Sequence, residues 1–244
     1  MQLAGTLASL RRYPVKSMAG EDLTEARVSF AGIVGDRVFA FVDNRNRSNF
    51  PWMSARQAHE MILFHPRFLD PPAIEDEIPD HARYAVEVVA PEGEKFLLPG
   101  DDLRQFLEKR YARDLRMRFS ERSMTDARPV SLFGLATVRA LSEEAGVPID
   151  LRQFRANFYV QWQEDRPYLE DDLIGRELQI GDIVVVQVVK KDQRCIMITL
   201  DPDTAAPSPV VFEKVMREHG GCAGVYGAVL REGIVRAHDP VYLL

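Results

Sequence analysis

The most reactive side chain in this sequence is that of Cys195, which follows Arg194 in the stretch KKDQRCIMITLDPDT, residues 190–204. Nearby cations, here Lys190, Lys191 and Arg194, favour a thiolate over a thiol. A thiolate can attack an electrophile, carry a persulfide sulfur or bind a soft metal. Cysteine is also among the most buried residue types, so a small core side chain is the alternative interpretation. The local sequence leaves both interpretations open.

Two further stretches carry side chains suited to an anion. In YPVKSMAG, residues 13–20, Lys16 and Ser17 share a loop in which an ammonium, a hydroxyl and backbone N–H groups could hold a phosphate. In GIVGDRVFAFVD, residues 32–43, Arg37 follows a glycine turn and could be a second anion ligand. Each has a simpler alternative: a solvent-facing lysine, and an Asp36–Arg37 surface ion pair worth well under about 1 kcal/mol.

A third candidate pair lies in FRANF, residues 154–158, where Arg155 and Asn157 flank Ala156. Residues two apart on a strand point to the same face, so a strand here predicts that both polar side chains share one surface. An arginine and an asparagine side by side suit a flat ligand with several acceptors and donors.

The elements that must position these residues are mostly strands. Turn signals such as Asp43-Asn44 and Glu232-Gly233 separate short apolar segments of strand character. These segments are residues 3–10, 26–30, 38–42, 84–89, 95–98, 115–119, 157–162, 183–189, 195–200, 225–230 and 241–244. Helical spacing predicts three helices, at residues 101–111, 135–145 and 209–219. Few strands precede a crossover helix, so the pattern predicts a mostly β, α+β fold rather than a doubly wound parallel sheet.

Two breaks interrupt the pattern of strands and helices. The acidic, proline-rich residues 70–83 predict a loop, and a second break lies near residues 121–128. We therefore predict two β-rich halves, residues 1–120 and 121–244, packed closely together.

Composition limits the classes of function. The chain has 244 residues and a formal net charge of −6, which argues against binding nucleic acid or an anionic membrane surface. No run approaches the roughly 18 apolar residues of a membrane span, and the N-terminus does not resemble a signal peptide, so we expect a cytoplasmic protein. Cys195 and Cys222 are then expected to be free thiols, Cys222 with a structural role. Two cysteines cannot supply the four ligands of an iron–sulfur cluster, so electrons for redox chemistry would come from elsewhere.

Six segments of this sequence, taken in order, carry a resemblance to a known family: PVKSMAG, GDR, FRANF, LEDDLIG, QRCIMITLDPDT and GVYG. They resemble the MOSC superfamily, which is named for the C-terminal domain of molybdenum cofactor sulfurases. The first half resembles the family's N-terminal β-barrel domain, and the second half resembles the MOSC domain. The resemblance implies barrel-like, strongly bent sheets and a molybdenum–pyranopterin cofactor (Moco). In the molybdenum-bearing, amidoxime-reducing members the cysteine of the RC block ligates the metal. The resemblance therefore implies that Cys195 is the metal ligand and a catalytic residue.

The resemblance also implies roles for other residues. The cofactor's phosphate and pterin would be held by Lys16, Ser17, Arg37, Arg155 and Asn157, with Thr199 and Asp201 organising the loop beneath the metal. Asp171, in LEDDLIG, would lie near the cofactor and supply or relay a proton.

The activity that the resemblance implies is an oxidoreductase for small N-hydroxylated compounds, supplied with electrons by a separate reductase or ferredoxin-like donor protein. Two alternatives stay open: a sulfur carrier or transferase with a persulfide on Cys195, and a cofactor-binding module without turnover. Three positions depart from the family pattern, which often has proline, tryptophan and glycine at Ala156, Leu173 and Ala205. Leu173 bears on the shape of the substrate pocket.

Overall fold

The computed structural model describes residues 1–70 and 84–244, and strands dominate that part of the chain. The strands are β1 (Gln2–Arg12), β2 (Glu21–Leu23), β3 (Glu25–Ser29), β4 (Gly32–Ile33), β5 (Phe39–Asp43), β6 (His65–Phe68), β7 (Val86–Val89), β8 (Lys95–Leu98), β9 (Leu115–Phe119), β10 (Val130–Gly134), β11 (Phe158–Trp162), β12 (Glu177–Ile180), β13 (Val184–Gln193), β14 (Cys222–Arg231), β15 (Gly233–Arg236) and β16 (Pro240–Leu243). The α-helices are α1 (Asp102–Tyr111), α2 (Leu135–Ala145), α3 (Leu169–Asp172) and α4 (Val210–Glu218). In the described residues, three short 3-10 helices span His59–Leu63, Leu151–Phe154 and Ile196–Thr199. The predicted loop at residues 70–83 lies, except for Asp70, outside the described residues.

Seven strands close into a barrel in the order β11, β10, β14, β13, β12, β16, β1, because β1 pairs back onto β11. The β10–β11 pair is parallel and the other pairs are antiparallel. Strand β1 pairs with β16 near its start, with β11 along its middle and with β2 at its end. The first strand of the chain thus completes a barrel whose other strands all come from the second half. The predicted mostly β, barrel-like fold with a few helices is confirmed.

Alternating apolar residues fill the barrel, as the period of two in a strand requires. Val184, Val186 and Val188 of β13 are buried against Leu178 and Ile180 of β12.

Apart from β2, which pairs with β1, the remaining strands build three small sheets in the described part of the chain. These sheets are β15-β3-β4, β5-β9 and β6-β7-β8. The sheet β15-β3-β4 packs its buried residues in the barrel core, whereas β5-β9 and β6-β7-β8 surround a second core. Helix α1 closes this second core because Leu103 and Leu107, four residues apart, lie on one buried face. Its observed start is within one residue of the predicted one.

A third core lies between the barrel and the helices α2 and α4, where Phe133 and Tyr159 pack with Leu141, Val211 and Val215. The predicted helix at residues 135–145 is confirmed at both ends. The predicted helix at residues 209–219 spans Val210–Glu218, within one residue at each end.

Two local predictions were wrong. Residues 195–200 do not form a strand: Ile196–Thr199 is a 3-10 helix, closed by Thr199 Oγ1 donating to the Ile196 carbonyl at 2.8 Å. Arg155 and Asn157 also lie outside a strand, because β11 begins only at Phe158. Arg155 ends the preceding 3-10 helix in the left-handed conformation, with φ of +55°. Strand alternation is therefore not what places these two side chains.

Within the described ranges, no helix has both the length and the apolar character needed to cross a membrane.

Candidate cofactor site

A cavity of about 290 Å³ opens where loops of the first half meet one end of the barrel. Most of the sequence-predicted cofactor ligands line it, namely Lys16, Ser17, Arg37, Arg155, Asn157 and Cys195. Of the described residues, seven basic side chains line it (Lys16, Arg37, Arg56, Arg128, Arg155, Lys190 and Arg194) against two acidic ones (Asp126 and Asp192). The cavity is therefore a basic site in a chain whose net charge is −6, and it favours an anionic ligand.

A buried carboxylate, Asp36, joins the two loops that carry Lys16 and Arg37. It has no exposed surface, and it accepts hydrogen bonds from Tyr13 N at 2.8 Å, Arg37 Nη1 at 2.5 Å and Ser123 Oγ at 3.1 Å. Arg37 N also donates to the Tyr13 carbonyl at 2.6 Å. The alternative of an Asp36–Arg37 surface pair is therefore excluded.

Lys16 is 6% exposed, so it is not a solvent-facing lysine. Its Nζ donates to the Met124 carbonyl at 2.7 Å and to Asp126 Oδ1 at 2.5 Å. Burial lowers the pKa of Lys16, although the Asp126 carboxylate opposes that shift. Ser17 is buried beside it with a left-handed φ of +68°, in a turn where Met18 N donates to the Val15 carbonyl.

The ring of Tyr13 lies between two guanidinium groups, Arg37 at 4.5 Å and Arg155 at 4.4 Å from its centroid. Arg37 Nη2 donates to the Arg155 carbonyl at 3.0 Å, which fixes one arginine against the backbone of the other. Burial lowers the pKa of Arg155 to about 10. Arg155 Nη2 is buried without a hydrogen-bond partner in the described part of the chain. A buried donor left without an acceptor is costly, so this atom is suited to an acceptor on a ligand.

Asn157 is also buried at the cavity, but most of its side chain bonds to the protein. Its Oδ1 accepts from Ser131 N at 3.2 Å, and its Nδ2 donates to the Arg11 carbonyl at 3.2 Å. One N–H of the amide remains, because each side-chain amide nitrogen carries two hydrogens. Asn157 therefore joins β1 to β10 and keeps a single donor for a ligand.

Cys195 lines the cavity at the end of the β13 segment, and its thiol is free and partly exposed. The preceding Arg194 holds this segment in place: its Nε donates to the Ala223 carbonyl at 2.7 Å and its Nη1 to the Phe154 carbonyl at 2.8 Å. Its guanidinium lies 5.3 Å from the ring centroids of both Phe133 and Phe154. Arg194 thus fixes the backbone that carries the thiol. Cys222 is likewise free, as predicted, and does not line this cavity.

The two lysines before Cys195 separate because successive strand residues point to opposite faces. Lys190 lines the cavity, whereas Lys191 does not and instead lies 2.8 Å from Asp171 Oδ2. Asp171 is outside the cavity lining. The neighbouring Glu170 is fully buried, and it accepts from Gly134 N and Trp162 Nε1.

Thr199 and Asp201 also lie outside the cavity lining. Thr199 closes the 3-10 helix after Cys195, and Asp201 Oδ1 accepts from the backbone N–H groups of Asp203 and Thr204. Both organise the loop that follows the thiol. Ala205, where the family pattern has glycine, adopts a left-handed φ of +58°, and Leu173 packs in the barrel core rather than against the cavity.

Sequence reasoning missed the two acidic residues of the lining. Burial raises the pKa of Asp192, although Arg194 opposes it with Nη2 lying 3.0 Å from Asp192 Oδ2. Burial would also raise the pKa of Asp126, but Lys16 outweighs it and the pKa is lowered. Asp192 lies two residues from both Lys190 and Arg194, so the alternation of side chains along a strand could have indicated that it lines the cavity. Asp126 is near Lys16 only through the tertiary fold.

Two family models match this chain. The model described as the MOSC N-terminal beta barrel domain matches residues 4–127, and the model described as the MOSC domain matches residues 120–242. Each spans about half of the chain.

Two known proteins are similar along most of their length. The Mus musculus protein named mitochondrial amidoxime-reducing component 1 is 22% identical, over 100% of this chain and 84% of that protein. The crystal structure of the YuaD protein from Bacillus subtilis is 14% identical and covers 99% of this chain and 96% of its own, with a TM-score of 0.53. At that identity the second likeness concerns the fold alone.

Proposed function

Since the chain belongs to the MOSC family, we propose that its basic cavity holds a molybdenum–pyranopterin cofactor and that the protein reduces N-hydroxylated compounds. The observation that carries the proposal is a free thiol, Cys195, at a cavity lined by seven basic side chains. Thiolate is a soft ligand that suits molybdenum, and the basic lining suits a phosphate-bearing organic group. Similarity to a protein named for amidoxime reduction supports the substrate class.

The residues present fit such a group. Lys16, Ser17 and Arg37 come together on loops joined by Asp36, and they would hold the phosphate. Arg155 Nη2 and the remaining Asn157 N–H would donate to acceptors on the flat pterin. Such an acceptor would give Arg155 Nη2 the hydrogen-bond partner that it lacks. Cys195 would be the metal ligand, supported from behind by Arg194.

When bound, the molybdenum centre supplies a two-electron couple for cleaving an N–O bond. Converting N–OH to N–H consumes two electrons and two protons and releases one water. We propose a separate donor protein as the source of the electrons, since the two cysteines of this sequence are too few for the four ligands of an iron–sulfur cluster.

Among the described residues, one carboxyl at the cavity is suited to hold a proton. Burial raises the pKa of Asp192, so its carboxyl keeps a proton at a higher pH than an exposed aspartate does. Lys16 lowers the pKa of Asp126, and Asp171 is paired with Lys191 away from the lining. We therefore assign the proton to Asp192 rather than to Asp171.

The test compares the two cysteines. Protein purified from a host that makes the cofactor is analysed for molybdenum per chain and for pterin fluorescence, as wild type, Cys195→Ala and Cys222→Ala. We expect molybdenum in wild type and in Cys222→Ala and its loss from Cys195→Ala. Reduction of an aromatic amidoxime with a chemical electron donor should follow the molybdenum content.

Equal molybdenum in Cys195→Ala and wild type would contradict metal ligation by this thiol. Mass spectrometry of trapped thiols distinguishes the sulfur-carrier alternative, since a persulfide on Cys195 in molybdenum-free protein would favour transfer. Bound pterin without any turnover would favour a binding module.

A further inference from the structure

A second cavity, of about 320 Å³, shares no lining residue with the candidate cofactor cavity. The segment of residues 50–58 separates the two. Phe50, Ser54 and Arg56 line the cofactor cavity, whereas Trp52 and Met53 line the second one. The end of β5, the residues that follow it and the end of α1 supply the rest of the lining. Because the two linings are separate, we assign the second cavity no role in cofactor binding.

The polar groups left free in this cavity are mostly hydrogen-bond donors. Tyr111 Oη is buried and makes no hydrogen bond of good geometry within residues 1–70 and 84–244, and the charged side chains of Arg110, Glu60 and Glu92 lie near it. Arg113 donates to Asp43 Oδ2 through Nη1 at 3.1 Å, which leaves its other N–H groups available. Gln57 accepts from Ser54 Oγ at 2.9 Å through its oxygen, so its amide N–H groups are also available. A buried hydroxyl without a well-aligned partner is destabilising, and an acceptor on a ligand would remove that cost.

The charge and shape of the lining limit which class of ligand this cavity can bind. Arg45 and Arg113 bring two positive charges and Asp43 brings one negative charge, so the described residues of the lining carry a net formal charge of +1. That charge balances a monoanion, whereas a phosphate monoester carries about −1.5 to −2 at neutral pH. Trp52 and Met53 give the cavity an apolar wall suited to a flat ring.

We propose that this second cavity binds a small, planar aromatic carboxylate. The ring of the ligand packs against Trp52, and its carboxylate accepts hydrogen bonds from Tyr111 Oη and from the Arg45 and Arg113 guanidinium groups. This inference does not depend on the chemistry assigned to the cofactor cavity.

The test uses 4-nitrobenzoate, a planar monocarboxylate that quenches indole fluorescence, on the full-length protein as purified with its molybdenum content recorded. The chain has two tryptophans, and Trp162 is 2% exposed in the barrel core, so Trp52 is the accessible reporter. We expect saturable quenching that is lost in Trp52→Phe. Tyr111→Phe removes one hydrogen bond to a charged acceptor and should raise Kd about tenfold or more.

Matched variants test the site. Arg45→Gln should weaken binding about threefold to tenfold, whereas Arg116→Gln, Tyr242→Phe and Arg128→Gln should change Kd less than about twofold. Arg116 and Tyr242 line neither cavity, and Arg128 lines the cofactor cavity alone. Weakening by Arg128→Gln equal to that by Arg45→Gln would place the ligand in the cofactor cavity and overturn the proposal.

Neutral and dianionic probes test the charge argument. The amide 4-nitrobenzamide and the ester 4-nitrophenyl phosphate should both bind more weakly than 4-nitrobenzoate. Quenching that rises linearly without saturation, or equal binding of the neutral amide, would refute the site. Thermal unfolding of Tyr111→Phe establishes that the variant is folded.

Discussion

At the scale of single residues, the candidate cofactor site contains a buried donor that the protein itself does not satisfy. Arg155 stacks on Tyr13 and sits near Arg37, and burial lowers its pKa to about 10. Holding a cation there opposes folding, because its charge is desolvated without a carboxylate partner. Arg155 therefore favours ligand binding at the expense of the stability of the cofactor-free protein.

Arg155→Met should separate these two effects. Removing the buried cation should raise the free energy of unfolding of cofactor-free protein by about 1–3 kcal/mol, while cofactor retention falls. Arg152→Met is the matched control, since Arg152 pairs with Asp150 and Asp203 at 2.6 Å each and does not line the cofactor cavity. It should lower stability by under about 1 kcal/mol and leave retention unchanged. Urea unfolding measures the stability of each variant, and pterin analysis measures cofactor retention. Equal destabilisation by the two variants would mean that burying the Arg155 cation does not oppose folding.

Glu170 predicts a dependence of stability on pH. Burial raises the pKa of Glu170, although hydrogen bonds that its carboxylate accepts from Gly134 N and Trp162 Nε1 oppose that shift. Between the unfolded and the folded pKa the folded state holds more protons, so the contribution of this group to stability falls as pH rises through that window. Glu170→Gln does not titrate, so its stability relative to wild type should improve as pH rises from the ordinary glutamate pKa of about 4.3 towards neutrality. Urea titrations of both proteins across this range measure the difference, and a difference independent of pH would refute the shift.

At the scale of elements, the backbone of β14 leaves room for the arginine that holds the Cys195 segment. Gly224 has φ of +72°, and an added Cβ would lie 2.6 Å from Phe133 Cδ2, 2.9 Å from the Leu132 carbonyl oxygen and 3.1 Å from Arg194 Nη2. Part of that contact is with backbone, which cannot rotate away. A side chain at this position would therefore push the strand away from Arg194.

Gly224→Ala should destabilise the protein by about 2–4 kcal/mol and change the rate of alkylation of Cys195. Gly146→Ala is the control, because Gly146 has a similar φ of +67° but nothing within 4 Å of an added Cβ. It should cost about 1 kcal/mol, the cost of the left-handed backbone alone. Equal costs for the two variants, with unchanged alkylation of Cys195, would mean that close packing at Gly224 contributes nothing.

Elements also determine how much could be predicted from the sequence. Helix α2 was predicted at both ends, because its spacing and its cap at Gly146 are local signals. Cys195, Lys16, Ser17 and Arg37 were predicted at one site through their motifs. Asp126 and the orphaned Arg155 Nη2 were not, because each depends on what the tertiary fold brings near. The sequence grouped Lys191 with the cations around the Cys195 thiol. Its position on β13 instead directs it to Asp171, away from the cavity that Lys190 lines.

At the scale of the whole molecule, the barrel depends on both ends of the chain. Residues 121–244 lack β1, so β11 and β16 would each have an unpaired edge. Expressed alone, this fragment should aggregate or unfold without cooperativity, because open edges template pairing with other chains. Adding residues 1–120 in trans should restore a cooperative transition, measured by circular dichroism during heating. Cooperative unfolding of the isolated fragment would contradict the requirement for β1.

The placement of β1 also sets the order of events during synthesis. Gly5 emerges from the ribosome long before its partners Trp162 and Val241. At about 5–20 residues per second, the first strand waits on the order of tens of seconds for the last one. Strand β1 therefore stays without its barrel partners during that time, and the nascent chain presents an unpaired strand to chaperones.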